Sequence, residues 1–178
     1  RSFWSNQRCL PTFYDDGGYP EGCGYWYYGT TFQICLIELL KNIYGHDGGL
    51  SETPGFMKSA EFALFSHGTM NTTFSFADGG MDDDLILLSS WWFAAQKKDP
   101  SLAYAEKRFL ENGRYKEDIP RMLPVMAVLC ANFDLDSKGF LQPVSDFWSC
   151  HGETPLCIVR KGWDYGPNDI YLGIKGGA

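Results

Sequence analysis

The segment spanning residues 15–29 packs five glycines, a proline, three carboxylates and four tyrosines into one short stretch, immediately ahead of the most apolar run in the chain. Gly17, Gly18, Gly22 and Gly24 open backbone angles closed to other residues, so this stretch can turn sharply and approach a bound group closely. Behind it, Phe32, Leu36, Leu39, Leu40 and Ile43 recur at helical spacing, and Ile34, Cys35 and Ile37 widen the stripe nearly all round. The pattern predicts a helix over 25–44 that is buried on every side, carrying a glycine loop at its head. A loop seated on a rigid helix is a place where sites are built.

A chain of 178 residues is the size of one ordinary domain and can bury a real core. Six Trp, ten Tyr and thirteen Phe outnumber the fifteen Lys plus Arg, a balance that suits sugar stacking as well as core filling. The net charge of −7 argues against a nucleic-acid partner, because phosphate binding needs basic patches. It argues less against an anionic sugar, since one cation in a cleft can outweigh the outer surface. No apolar run reaches the length of a membrane span. The cysteines, Cys9, Cys23, Cys35, Cys130, Cys150 and Cys157, form no CxxC pair and read mainly as buried thiols.

Along the chain, Gly45 caps the first long helix and Pro54 opens a second, with residues 51–53 as candidate caps, ending at His67-Gly68. Residues 72–80 alternate and read as a short strand or extended loop ending in a turn. Asp82, Asp83 and Asp84 precede a helix over 85–98, broken by Asp99-Pro100. Two further helices are expected over 102–112 and 118–129. Beyond residue 140 the pattern becomes extended, with strands over 154–160 and 169–175. The expected organisation is therefore mainly α: helical hairpins over residues 1–140, then an antiparallel β-sheet begun over 141–178.

Several motifs occur in a fixed order: Asp-Gly-Gly-Tyr-Pro-Glu-Gly-Cys-Gly-Tyr-Trp-Tyr-Tyr-Gly over 16–29, Pro54-Gly55, and Phe74-Ser75-Phe76-Ala77-Asp78. Pro155, Val159-Arg160, Trp163 and Leu172-Gly173-Ile174-Lys175-Gly176-Gly177 follow. Together they resemble the heparinase II/III-like and alginate-lyase-like polysaccharide lyases. The resemblance implies an incomplete (α/α) toroid of helical hairpins followed by the first strands of an antiparallel β-sandwich. It implies β-elimination on a uronic-acid polysaccharide or oligosaccharide, in a periplasmic or secreted setting, with no cofactor and no metal. In that chemistry a base takes the C5 proton, donors neutralise the uronate carboxylate, and an acid protonates the departing O4.

Carried over residue by residue, the tyrosine after Glu-Gly-x-x is Tyr25, expected as general acid and as base, with Tyr27 and Tyr28 the alternatives if the register slips. A phenol with a free pKa of ~10 needs a cationic or histidine neighbour to act as a base. Glu21, Trp26, Tyr28 and Arg160 are the expected substrate contacts. Each has a plainer role beside it: Glu21 as a carboxylate at a helix N-terminus, Trp26 as core, Arg160 and Lys175 as charges on a sheet surface. The asparagine and histidine of the family ahead of the loop have only Asn6 as a nearby counterpart, and a histidine after Lys-Gly-Gly would lie past Ala178. The chain thus reads as a fragment, inactive by itself, whose last residues would cover the truncated sheet edges by packing against the helices or against another copy.

Other chemistry fits less well. Cys150-His151 with Cys157 offers too few ligands at too loose a spacing for zinc. Residues 134–139 imitate a calcium loop, but Lys138 takes a ligand position and no Glu closes it. A toroid glycoside hydrolase would use Glu21 with Asp16 or Asp78, and a non-catalytic carbohydrate-binding domain would keep the fold alone.

Overall fold

The computed structural model describes residues 2–70, 72–80, 88–106 and 140–177. Helices come first: α1 Ser2–Cys9, α2 Cys23–Tyr44, α3 Pro54–Ser66 and α4 Leu88–Lys97, with single 3-10 turns at Leu10–Thr12, Leu50–Glu52 and Pro100–Ala103. Strands β1 Phe147–Cys150, β2 Leu156–Lys161 and β3 Ile170–Lys175 follow and form one antiparallel sheet in the order β1-β2-β3. Helices followed by a small antiparallel sheet is the order expected from the sequence. The helix expected over 102–112 opens in the described residues with the 3-10 turn Pro100–Ala103; its remainder from 107, the helix expected over 118–129, the aspartates 82–84, the turn at 134–139 and Cys130 lie outside the described residues.

Helix α2 ends as its sequence dictates. Gly45 takes the left-handed conformation (φ 77°) and its amide donates to the Lys41 carbonyl at 2.9 Å. Its inward face sets Trp26, Tyr27, Thr30, Ile34 and Ile37 against α3 and α4. Several polar groups along that face find partners. Trp26 Nε1 donates to Ser59 Oγ at 2.9 Å, Ser59 Oγ donates to the Phe56 carbonyl at 2.7 Å, and Trp92 Nε1 donates to Glu38 Oε1 at 2.9 Å. Around them Phe56 packs its ring against Phe13, Trp92 and Phe93, with centroids 5.1, 6.0 and 5.1 Å apart.

The expectation that α2 is covered on every side is corrected. Tyr25, Tyr28, Phe32, Leu39 and Ile43, at successive turns of the opposite face, are 45–63% exposed. Among the described residues α3 and α4 meet one face, and the second apolar face has no covering layer.

Thr53 precedes α3 without a side-chain cap, and Pro54 at the first helical position needs no amide partner. Gly55 follows because a Cβ there would sit 1.4 Å from the Phe13 carbonyl oxygen and 2.0 Å from that of Tyr14. The first turn of α3 therefore rests directly on the backbone that leads into the glycine loop. Of the two readings of residues 72–80, the extended loop ending in a turn is the one found, with the isolated bridge His67 to Thr73 at its start. Thr73 and Ser75 turn their hydroxyls onto the Gly80 and Gly79 carbonyls at 2.8 Å each, and Ala77 takes a positive φ of 49°. Side chains and a left-handed residue bend this segment away from a ladder.

The sheet docks on α3 through its inner face. Trp148 meets Phe62 (5.6 Å between centroids), Trp163 meets Phe65 (5.2 Å), and the Tyr171 hydroxyl donates to the Phe65 carbonyl at 3.0 Å. Helices and sheet share one continuous core. On β2, Leu156, Ile158 and Arg160 point inward, alternating with the exposed Val159 and Lys161. On the outer face Phe147, Val159 and Leu172 lie in one cross-strand row, all exposed.

Arg160 is a charged residue at a core position of β2, 2% exposed. Its guanidinium lies 3.6 Å over the Trp163 ring and 4.7 Å from that of Tyr165. Its Nε donates to the Gly162 carbonyl at 3.0 Å and an Nη to the His67 carbonyl at 3.2 Å. That last bond ties β2 to the C-terminus of α3. The reading of Arg160 as a substrate contact or a sheet-surface charge is thus corrected: the strand's period of two turns it inward, and stacked rings and carbonyls replace its water. Burial pulls its pKa down from the usual arginine range. Arg160→Ala should destabilise the fold by about 2–4 kcal/mol, read as a lowered urea midpoint. Arg160→Lys should recover little, because a lysine lacks the flat fork that stacks and donates at once.

Candidate functional site

The glycine loop is anchored from within. Gly17 N donates to the Tyr14 carbonyl at 2.7 Å, and Tyr19 inserts its ring between Phe13 and Phe62 at 5.4 and 6.5 Å. The Glu21 carboxylate lies near the Tyr19 hydroxyl. Burial first, and then that nearby carboxylate, push the Tyr19 phenol up to about 12. Tyr19 is thus a fixed, buried ring beside an exposed carboxylate. Its place two residues before Glu21 in the motif was the available signal, and only the packing of its ring shows the role.

Gly22 follows with φ 87° and ψ 172°, an angle pair closed to side-chain-bearing residues. Its neighbour is the turn 76–79: a Cβ on Gly22 would sit 3.2 Å from the Phe76 carbonyl oxygen and 3.3 Å from the Gly79 Cα. Phe74, in ring contact with Phe76 at 5.3 Å, lies over Gly173 of β3. A chain of contacts therefore links the head of α2, through the turn 76–79, to the sheet.

Helix α2 begins at Cys23, so its first turn contains the candidate residues. Helical phase sorts them. Tyr25 and Tyr28 face outward, 45% and 63% exposed, and Tyr28 meets Phe32 edge to face at 5.1 Å. Trp26 and Tyr27 face inward. Trp26, 0% exposed and bonded to Ser59, is core, which corrects its assignment as a substrate contact. The same phase removes Tyr27 as an outward alternative and leaves Tyr28. Among the described residues the Tyr25 hydroxyl has no hydrogen-bond or ion-pair partner, so no local cation or histidine activates it here. The first-turn amides of α2 have no carbonyl one turn back and carry the positive end of the helix dipole beside Tyr25.

The carboxylates divide as well. Asp16 accepts from the His151 amide at 2.6 Å and from the Gly18 amide at 3.4 Å, and His151 Nδ1 lies 3.4 Å from the same carboxylate. Asp16 thus pins the β1–β2 turn to the glycine loop. Asp78 is exposed in the turn that abuts Gly22. His67 and Glu106 form a buried pair 4.0 Å apart at the end of α3. The described cysteines are free thiols; Cys23 and Cys150 are buried, Cys9 is exposed, and burial pushes the Cys35 and Cys150 thiols up. No group of three or more His, Cys, Asp or Glu among the described residues could hold a metal ion. Among the described residues no helix is long and apolar enough to cross a membrane.

No protein-family model matches the chain, and no curated protein matches it. The site is accordingly defined by its own geometry: an outward phenol on a helix N-terminus, beside a glycine loop that exposes Glu21 next to the buried ring of Tyr19.

Two substitutions probe that arrangement. The folded-state pKa of Tyr19 lies above its ordinary value of 10, so its contribution to stability is complete below pH 10 and is lost as pH rises toward 12. Tyr19→Phe should flatten the loss of stability across that window, measured as unfolding free energy against pH. Gly22→Ala should destabilise by about 1–3 kcal/mol through its positive φ and its contact with the 76–79 turn, seen as a lowered melting temperature.

Proposed function

We propose that this chain carries the toroid-side catalytic tyrosine of a polysaccharide lyase acting by β-elimination on a uronic-acid-containing polysaccharide, with Tyr25 as general acid and base. The observation that carries the reading is the outward phase of Tyr25 on the first turn of α2, while Trp26 and Tyr27 beside it are buried. A phenol in that place can reach a sugar ring lying across the helix end. The first-turn amides would meet the uronate carboxylate, whose neutralisation makes the C5 proton removable. Tyr25 enters this step as its phenolate, takes the C5 proton and passes it to the departing O4, so the bond to O4 breaks as the C4–C5 double bond forms; the cationic or histidine neighbour this requires would come from beyond the described residues. Glu21, exposed ahead of α2, accepts from sugar hydroxyls, and Tyr28 offers its exposed ring for stacking.

The proposed architecture is part of an (α/α) toroid joined to the opening strands of a β-sandwich, in a protein that is periplasmic or secreted. Two uncovered apolar surfaces support it. The outer stripe of α2 is what a helix packed between two layers would carry, and the row Phe147, Val159, Leu172 is what one half of a sandwich would carry. The hydrolase reading has less support, since Asp16, one of its two candidate partners for Glu21, is engaged with the amides of His151 and Gly18.

The test is ultraviolet absorbance of unsaturated uronate products from a panel of uronic-acid polysaccharides, run on the longest natural form of the polypeptide. Absorbance should grow on one substrate, and Tyr25→Phe should lower the rate by at least ~100-fold, the usual worth of a general acid–base group. Reducing ends appearing without absorbance would replace the lyase with a hydrolase. Silence in both assays would leave a binding domain.

A further inference from the structure

A second concave surface lies at the other end of the glycine loop, where helices and sheet meet. It is a groove of ≈ 550 Å³, within the range of small-molecule sites. Three elements wall it: Tyr14, Asp15 and Asp16 from the loop after α1, Lys58 from α3, and His151 with Gly152 from the β1–β2 turn.

Its fixed points are well defined. Lys58 Nζ donates to the Asp15 carbonyl at 2.9 Å, which holds the ammonium at the rim and leaves two of its protons for another acceptor. Asp16 is held by the His151 and Gly18 amides. The His151 ring has one edge at Asp16, with Nδ1 3.4 Å away, and its side chain is 87% exposed. The Tyr14 ring lies against Gly152, where a Cβ would come within 1.9 Å of it, and this fixes an aromatic wall beside the charged groups.

The chemistry of this set is selective. Two carboxylates repel a phosphate, a sulfate or a polyanion, and an ammonium repels a metal ion. Carboxylates, an ammonium and an imidazole gathered in one groove with an aromatic ring match a ligand that both donates and accepts and presents an apolar ring face. A pyranose with vicinal hydroxyls has these properties: its hydroxyls donate to the carboxylates and accept from Lys58 and His151, and its C–H face stacks on Tyr14. We propose that this groove is an accessory carbohydrate-binding site for one neutral pyranose unit, independent of the Tyr25 face and standing whether or not Tyr25 is catalytic. Held at the seam, such a sugar contacts the helical part and the sheet at once.

The test follows the backbone amides of His151 and Gly152 and the His151 ring by NMR in the full chain, during titration with the methyl pyranosides of glucose, mannose and galactose. Sodium glucuronate and sodium sulfate serve as anionic comparators. At least one methyl pyranoside should give saturable shifts at these three probes, and Lys58→Ala and Asp15→Ala should each weaken binding roughly tenfold or more. Both substituted side chains are exposed, so the folded spectrum should otherwise persist. Tyr25→Phe should leave the titration unchanged. The proposal is overturned if none of the three sugars gives a saturable shift, if sulfate or glucuronate binds more tightly than every neutral sugar, or if Tyr25→Phe abolishes the effect.

Discussion

The Arg160 guanidinium, sandwiched against Trp163 and bonded to the carbonyl of His67, is the joint on which the relation of sheet to helices depends. A guanidinium in a core is tolerable only where its charge faces aromatic quadrupoles and its protons meet acceptors. Trp163 supplies one face, and the carbonyls of Gly162 and His67 supply acceptors. His67 can offer its carbonyl because α3 stops there, its last residues leaving carbonyls without intrahelical partners. The charge on β2 thus satisfies a helix terminus, and the end of α3 in turn makes a buried arginine affordable.

From this joint the geometry propagates to the glycine loop along two routes. One runs through Phe74 over Gly173 to the 76–79 turn and the head of α2. The other runs through Asp16 and the β1–β2 turn at His151. The loop is held at both ends by the sheet and in its middle by the buried ring of Tyr19. A glycine-rich segment left free would lose much entropy on ordering. Here three separate anchors hold it, so its exposed side chains, Glu21 and the neighbouring Tyr25, sit on a fixed frame.

Much of this was legible in the sequence. Periodicity and caps located α2 and α3, Gly45 and Pro54 marked their boundaries within a residue or two, and the alternation after residue 154 located β2 and β3. What was not legible came from tertiary choices. A helix apolar on all sides reveals nothing about which face finds a partner, so the exposure of Tyr25, Tyr28 and Phe32 had to be seen. A strand's period of two gives alternation but not which phase points inward, and an arginine biases the guess toward solvent; at Arg160 that bias failed because Trp163, three residues on, folds back over it. The alternation of residues 72–76 resembled a strand, but the hydroxyls of Thr73 and Ser75 had nearer partners than a second strand. In the candidate site, Tyr25 and Glu21 were readable as motif positions, while Tyr19 was not, since its role depends on the pocket between Phe13 and Phe62.

The place of Glu21 also bears on which chemistry the loop can support. A glycosidase acid must hold its proton at working pH, which demands an apolar surround or a nearby like charge. Glu21 stands in the open at the head of α2, without an apolar surround, where its carboxylate can meet a ligand's hydroxyls. In the reading proposed above, proton transfer is assigned to the exposed phenol of Tyr25, which can take up and give back a proton at one oxygen. That assignment leaves Glu21 for positioning, and the engagement of Asp16 with the His151 and Gly18 amides removes one carboxylate from any pair that could share a hydrolysis.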